Sequence, residues 1–180
     1  MKKHIFLLLL FLSGLSMAQT TKEASTSALP KGEVAKSKQS VTLDGKVIPL
    51  SAEAGTLQLK DENNKPIALY GYTAYFKDNP EKNRPIVFAY NGGPGSSSYW
   101  LHMGVMGPKR IVVDDPNYNA AAPYELTNNE FSILDVADVV MMDPVGTGLS
   151  VPIGDSKGAD FWGVDQDIRS TSLFIMQFLK

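Results

Sequence analysis

Apolar and polar residues change their spacing along the chain in a way that first marks out strands. Residues 55–60 alternate with a period of two, residues 61–65 form a polar turn cluster, and residues 67–76 are a long, mostly apolar run. Two strand patterns joined by a polar turn are typical of an antiparallel hairpin. The runs Ile86–Tyr90 and 137–142 are almost continuously apolar, as in strands buried on both faces. This order predicts an α/β fold, with an antiparallel hairpin followed by parallel strands and helices.

The last segment of the chain has the spacing of a helix. Asp160 is the predicted N-cap, and Asp165 and Asp167 would lie near the positive end of the helix. The predicted core-facing stripe consists of Phe161, Val164, Ile168, Thr171, Ile175 and Leu179. The pattern reaches Lys180 without a glycine cap or a closing strand, so we expect only the amino-terminal part of a larger sheet.

The amino end has the layout of an export signal. Lys2 and Lys3 precede the apolar run 5–12, and small residues up to Ala18 fit the positions that a signal peptidase reads. The run is far shorter than the roughly 20 residues that span a bilayer. We therefore predict a signal peptide over residues 1–18, cleaved after Ala18, and no stable membrane association. A retained membrane anchor is the alternative.

The rest of the chain divides by composition. Residues 19–40 are rich in Thr, Ser, Lys and Ala and have no hydrophobic period, which predicts a polar disordered leader. Residues 41–180 are then the folded part.

Charge and cysteine content narrow the function. Removing the two lysines of the signal takes the net charge from −2 to −4, and an acidic chain without a basic cluster argues against a nucleic-acid partner. The chain contains no cysteine, which excludes a cysteine nucleophile, a thiolate metal site and a lipid-modified amino terminus. For an exported chain it also favours a bacterial protein of the periplasm or the extracellular medium. We expect no metal and no cofactor.

The candidate chemistry lies at residues 91–98, with the sequence Asn-Gly-Gly-Pro-Gly-Ser-Ser-Ser, directly after the run Ile86–Tyr90. Glycines at this position bring bare backbone N–H groups to the carboxyl end of a strand. A phosphate-binding loop would need a lysine that this turn lacks. A dinucleotide fingerprint at residues 146–148 fails because Val151 stands where a third glycine belongs. An oxyanion hole fits best, and a plain strand-to-helix turn is the alternative.

Together with Gly107-Pro108 and the Asp-Pro-Val-Gly-Thr-Gly-Leu-Ser sequence of residues 143–150, this octapeptide resembles the amino-terminal third of the serine carboxypeptidases. The resemblance covers residues 86–180. It implies an α/β-hydrolase fold and a Ser-Asp-His triad that releases single residues from the carboxyl end of peptides. It also implies that the N–H of Gly93 is an oxyanion donor, and that Asn91 and Gly92 cradle the free terminal carboxylate of a peptide substrate.

The chain departs from the family pattern at several positions. It has Ala89 where many members have tryptophan, Ser96 where they have cysteine, and Val105 where the eukaryotic enzymes have glutamate. Asp143 stands before Pro144 where the usual pattern has Asp-Gln. These changes indicate a divergent bacterial branch.

No complete triad can be assembled from the sequence. Residues 95–99 begin like a nucleophile elbow but lack its closing glycine, so Ser97 and Ser98 are interpreted as capping or packing hydroxyls. His102 is interpreted as a structural histidine, and Asp143 lies too early to be the triad acid.

We therefore expect an amino-terminal fragment of a serine carboxypeptidase that supplies the oxyanion hole and the carboxylate cradle but is inactive alone. The alternatives are a serine carboxypeptidase-like acyltransferase and a non-catalytic peptide-binding remnant.

Overall fold

The computed structural model of the chain describes residues 28–92, 95–112, 123 and 125–180. The predicted signal peptide over residues 1–18, the leader as far as residue 27, and Gly93 lie outside these residues. Eight strands are formed: β1 (Val34–Leu43), β2 (Lys46–Lys60), β3 (Pro66–Lys77), β4 (Ile86–Tyr90), β5 (Lys109–Ile111), β6 (Leu126–Asn128), β7 (Asp138–Met142) and β8 (Val151–Pro152). The helices are α1 (Tyr99–Leu101), which continues into a π-helical turn (His102–Met106), and α2 (Val164–Phe178), which follows a 3₁₀ turn (Gly158–Asp160).

Six of the strands form one mixed sheet. Its order is β1-β2-β3-β7-β4, and the short strand β8 also pairs with β3, while β5 and β6 form a separate antiparallel pair. The predicted hairpin is confirmed, since β2 and β3 pair antiparallel with Leu57 opposite Tyr70. The predicted parallel pairing is confirmed as well, since β4 runs parallel to β7 with Phe88 opposite Val140. The mixed sheet with its few helices is compatible with the predicted α/β class.

The predicted disordered leader is wrong for residues 34–40. These residues belong to β1 and pair antiparallel with β2, from Val34 opposite Gly55 onward. Their side chains are exposed, so no hydrophobic period was needed to place them in the sheet. Backbone hydrogen bonds to β2 and cross-strand ion pairs such as Lys36–Glu53 hold this polar edge strand instead.

Side chains pack on both faces of the sheet. On one face, Tyr70, Tyr72 and Met142 pack against Phe174 of α2. On the other face, Leu50 and Met141 belong to a second buried group. This group also includes residues that precede β7 in the sequence, and residues that follow β4 in the sequence pack against it. Strand β7 is therefore buried on both sides, as its continuous apolar run predicts.

The start of α2 corrects two expectations. The helix begins at Val164 with Gly163 as its N-cap residue, whereas Asp160 ends the 3₁₀ turn and accepts a hydrogen bond from Lys157 N (2.7 Å). The predicted stripe is wrong at Val164, Ile168 and Leu179, which are 76%, 61% and 59% exposed. Two other members of the stripe do reach the core, since Phe161 is buried there and Ile175 packs against it. Gly163 adopts φ +136°, which interrupts the helical backbone. Phe161 therefore lies outside the helix and does not share the helical spacing of the residues that follow Gly163.

The buried residues of α2 are instead Ser170 and Phe174. Within the described ranges, no helix is long and apolar enough to cross a membrane.

Candidate functional site

A cleft of about 630 Å³ lies where β4 and β7 end. The two strands are parallel and their last residues, Tyr90 and Met142, are paired, so the turns that follow them leave the sheet side by side. The lining residues come from these two turns and from the start of α2: Tyr90, Asn91, Gly92, Gly95, Ser96, Pro144, Val145, Gly146, Thr147, Trp162, Gly163, Val164, Asp167 and Thr171. The two sequence motifs that suggested chemistry therefore border one cavity.

The first glycine turn (residues 91–98) carries the predicted site residues. Asn91 is half-buried, and its Nδ2 donates a hydrogen bond to Ser96 Oγ at 2.6 Å. Gly92 is exposed, and among the described residues no atom would lie within 4 Å of a Cβ added to it. The structure thus brings Asn91 and Gly92 together at the cleft, while the position of the Gly93 N–H lies outside the described residues.

The second glycine turn (residues 143–150) is closed by its own hydrogen bonds. Gly146 N donates to Ser150 O (3.1 Å), and Ser150 N donates to Thr147 O (2.8 Å). The hydroxyl of Thr147 donates to Pro144 O (2.8 Å). Gly146 and Gly148 have φ values of +94° and +49°, a region that favours glycine. These glycines therefore serve the shape of a tight turn.

Ser150 joins the second turn to the sheet. Its buried Oγ donates to Asp143 O (2.6 Å) and accepts a hydrogen bond from Gly71 N (2.6 Å). Asp143 N in turn donates to Gly71 O (2.9 Å). Sequence reasoning missed this role of Ser150, because Gly71 lies on a strand far away in the chain.

Asp143 connects the two turns. Its Oδ1 accepts a hydrogen bond from Ser98 N at 2.8 Å, and its Oδ2 accepts a longer one from Leu149 N at 3.4 Å. The buried hydroxyl of Ser98 donates to Met142 O and makes no capping hydrogen bond to α1. Of the two roles predicted for Ser98, capping or packing, the structure shows the packing role. One sequence signal could have indicated the role of Asp143, because a carboxylate at the end of a buried apolar strand needs donors.

His102 lies in the segment after the first glycine turn. Its Nε2 is 2.7 Å from Tyr75 Oη on β3, and it does not line the cleft. Burial lowers the pKa of its imidazole below the ordinary value, although the charge of Asp143 acts in the opposite direction. Gly107, of the Gly-Pro pair, allows the ring to lie close, since a Cβ there would be 2.7 Å from His102 Cδ2. This packing supports a structural role for His102.

The third border of the cleft comes from the start of α2 and was not predicted. Trp162 is 66% exposed, and its Nε1 would be 3.3 Å from a Cβ at Gly146. Thr171 Oγ1 is 3.2 Å from Tyr70 Oη, and burial raises the pKa of Tyr70 to about 12. Asp167 is the one charged side chain among the described lining residues.

This arrangement suits recognition of an anionic group by neutral donors. Within the part of the chain that the structure describes, no three His, Cys, Asp or Glu side chains lie together as they would around a metal ion. The cleft instead offers the amide of Asn91, the hydroxyl of Ser96, and backbone near Gly92 and Gly95, with the Asp167 carboxylate on the wall formed by α2. The hydroxyl of Thr147 already donates to Pro144 O. Such uncharged donors can bind an oxygen anion without neutralising its charge.

Comparison with known proteins gives matches of one kind. The family model described as serine carboxypeptidase matches residues 43–180. The chain is 34% identical over 128 residues to a pheromone-processing carboxypeptidase KEX1 of Clavispora lusitaniae, which covers 71% of the chain and 17% of that protein. It is 29% identical over 137 residues to the protein of the same name from Saccharomyces cerevisiae strain S288c. That alignment covers 74% of the chain and 17% of the yeast protein. The chain thus spans about 17% of the length of these curated relatives.

Proposed function

We propose, from the premise that the chain belongs to the serine carboxypeptidase family, that the protein is a serine-type peptidase that releases C-terminal residues from peptides. The observation that carries this proposal is the juxtaposition of the two glycine turns at one cleft, with Asn91 and Gly92 on its wall. In this proposal the fold is the α/β-hydrolase fold, of which residues 41–180 are the amino-terminal portion.

In the proposed site, Asn91 recognises the free carboxylate at the end of the peptide. Its Nδ2 is held by Ser96 Oγ at 2.6 Å, which orients the amide at the cleft wall before substrate arrives. The backbone at Gly92 is open, so a carboxylate can approach it closely. An internal peptide bond offers no carboxylate, so this contact would restrict cleavage to the last residue.

The proposed oxyanion donor is the N–H of Gly93. It lies in the first glycine turn, whose two ends are tied to the end of β7 through Tyr90 and Ser98. A fixed donor aimed at the developing oxyanion stabilises a transition state by roughly 2.7–4 kcal/mol. A turn held at both ends suits that task, because the donor does not have to reorganise during the reaction.

We propose that the nucleophile and the rest of the triad belong to a longer protein that continues beyond Lys180. In the described sheet the outer edge of β4 has no partner strand. A chain leaving α2 can return as a parallel strand beside β4 through a right-handed crossover, which would place its carboxyl end next to the first glycine turn. The chain of 180 residues would then bind peptides weakly and turn over none, because loss of any triad member removes most of the rate.

The test uses the protein encoded by the complete reading frame and a pair of blocked dipeptides that differ only at the carboxyl end. The peptide with a free carboxylate should be hydrolysed, whereas its C-terminal amide should react at least about 10-fold more slowly. An Asn91→Ala variant should lose most of this discrimination through a raised KM for the free acid. Labelling by a serine-directed fluorophosphonate should occur in the long protein and not in the 180-residue chain.

Each alternative has its own outcome. Equal hydrolysis of the acid and the amide would contradict the role of Asn91. Clear turnover by the 180-residue chain would contradict the location of the nucleophile. Transfer of the acyl group to an alcohol without hydrolysis would indicate the acyltransferase. Binding of peptide acids by a long protein that resists the fluorophosphonate would indicate the binding remnant.

We also propose that the protein is exported by a bacterial cell, on the basis of Lys2, Lys3 and the apolar run that follows them. Mass spectrometry of the amino terminus of the mature protein, taken from the periplasm or the medium, should find Gln19 as the first residue. Recovery of the uncleaved chain in the cytoplasm would contradict export.

A further inference from the structure

The carboxylate of Asp143 lies between the two turns that border the cleft. Oδ1 accepts a hydrogen bond from Ser98 N (2.8 Å), at the end of the first glycine turn, and Oδ2 accepts one from Leu149 N (3.4 Å), in the second. Resting on the proposed function, we propose that Asp143 is a positioning residue that holds the first glycine turn in the geometry needed for transition-state stabilisation. Asp143 itself is not among the residues that line the cleft.

The second glycine turn is shaped to receive this carboxylate. A Cβ at Gly148 would lie 2.0 Å from Asp143 Oδ2 and 2.5 Å from its Cγ, so only glycine leaves the necessary space. Gly148 also adopts φ +49°, a conformation that favours glycine. The close approach of the turn to Asp143 is therefore a built feature of the site.

Asp143 is mounted on a rigid base. Its backbone N donates to Gly71 O at 2.9 Å, and its backbone O accepts the hydroxyl of Ser150 at 2.6 Å. The same hydroxyl accepts a hydrogen bond from Gly71 N. Since Gly71 belongs to the central strand β3, the position of the carboxylate is determined by the sheet.

The first glycine turn depends on this base at its far end. Its near end is fixed by the pairing of Tyr90 with Met142. Its far end is fixed at Ser98, whose N–H binds Asp143 and whose hydroxyl donates to Met142 O. Both ends are thus tied to the end of β7, and a shift of Ser98 changes the distance that the turn has to span. A misplacement of about 1 Å can cost roughly 100-fold in rate.

The arrangement speaks against a role for Asp143 as a triad acid. Both oxygens accept hydrogen bonds from backbone N–H groups, and the ring of His102 is hydrogen-bonded to Tyr75. Asparagine is the matched substitution, because it keeps the shape but has one acceptor oxygen, and its NH₂ group would face a donor. Alanine removes both acceptors.

The test compares Asp143→Asn and Asp143→Ala with Asp155→Asn in the protein encoded by the complete reading frame. Asp155 is an exposed carboxylate paired with Lys65, away from the cleft, and its substitution should leave activity unchanged. Asp143→Asn should lower kcat about 10-fold and Asp143→Ala about 100-fold, with KM changed by less than about 3-fold. Binding of a peptide boronate, which mimics the tetrahedral intermediate, should weaken in parallel with kcat.

A second measurement is independent of activity. In hydrogen–deuterium exchange of the unmodified protein, the Ser98 amide should exchange at least about 10-fold more slowly than the amide of exposed Gly95. In Asp143→Asn the protection of Ser98 should fall.

Three outcomes would overturn the positioning role: an unprotected Ser98 amide in the unmodified protein, activity of Asp143→Asn equal to that of Asp155→Asn, or a raised KM with unchanged kcat. If the unmodified protein hydrolyses no peptide, the proposed function fails, while exchange at Ser98 still decides whether Asp143 holds the turn.

Discussion

The two glycine turns lie side by side at the same edge of the sheet, yet they are held in different ways. The second turn has hydrogen bonds of its own, and Ser150 ties it to β3 through a buried hydroxyl. The described part of the first turn has one internal side-chain contact, between Asn91 and Ser96, and its far end is held by Asp143. We call the second turn the frame, because its own hydrogen bonds and Ser150 hold it rigidly. The frame in turn holds the first turn in position.

This difference assigns the glycines of the two turns different purposes. Gly148 is needed because the carboxylate of Asp143 occupies the space above it. Gly95 also has a positive φ, of +88°, but no atom of the described residues lies within 4 Å of its Cβ position. Gly148 in the second turn makes room for a protein group, whereas Gly95 in the first turn faces open space among the described residues.

The largest expected effect comes from comparing Gly148→Ala with Gly95→Ala. Both substitutions place a side chain on a backbone with positive φ, at a cost of about 1–2 kcal/mol. Only Gly148→Ala must also displace the Asp143 carboxylate, so its total loss in the free energy of unfolding should be about 2–5 kcal/mol. Urea unfolding of the two variants measures the difference. Equal losses in the free energy of unfolding would show that the second turn accommodates an added side chain as readily as the first turn.

The next effect in size concerns the two serines. Ser150→Ala leaves the buried N–H of Gly71 without an acceptor, which should cost about 1–3 kcal/mol of the free energy of unfolding. Ser96→Ala, its counterpart in the first turn, releases a half-buried amide that water can reach and should cost less than about 1 kcal/mol.

Urea titration of the two serine variants checks this order. A larger loss for Ser96→Ala than for Ser150→Ala would reverse the assignment of frame and positioned element.

Sequence patterns predicted the parts of this fold that depend on local periodicity. Strands β4 and β7 and the hairpin β2–β3 follow from runs of a few residues, because burial of one or both faces repeats along each strand. Strand β1 has no such run, since its pairing with β2 satisfies backbone groups and leaves polar side chains in solvent. The predicted start of α2 was wrong because the sequence from Phe161 to Val164 has helical spacing, whereas the backbone at Gly163 interrupts the helix.

The candidate site divides in the same way. Asn91 and Gly92 could be placed at a cleft because a glycine turn after a buried strand is a local feature. The roles of Ser150 and Asp143 depend on partners that are distant in the chain: Gly71 is 79 residues from Ser150, and Ser98 is 45 residues from Asp143. Such contacts exist only once the order of strands in the sheet is known.

The smallest expected effect is a dependence of the free energy of unfolding on pH, caused by a residue close to the first glycine turn. His102 follows that turn and is held against Tyr75 at 2.7 Å, in surroundings that lower the pKa of its imidazole by burial. As the pH falls below the ordinary value of about 6.5, the unfolded chain binds a proton that the folded chain resists. Stability contributed by neutral His102 is therefore present above about pH 6.5 and is lost as the pH falls through the lowered pKa.

The measurement is the free energy of unfolding between pH 7.5 and pH 5.5, a range chosen above the region where carboxylates such as Asp78 and Glu81, whose pKa values are lowered, take up protons. The unmodified protein should lose stability over this range, and His102→Gln should lose less, because glutamine does not titrate. Ser150→Ala should keep the slope of the unmodified protein, since the hydrogen bonds of Ser150 join it to groups that do not titrate. A slope that persists in His102→Gln would place the pH-sensitive group elsewhere, and the two turns would then not differ in their response to acid.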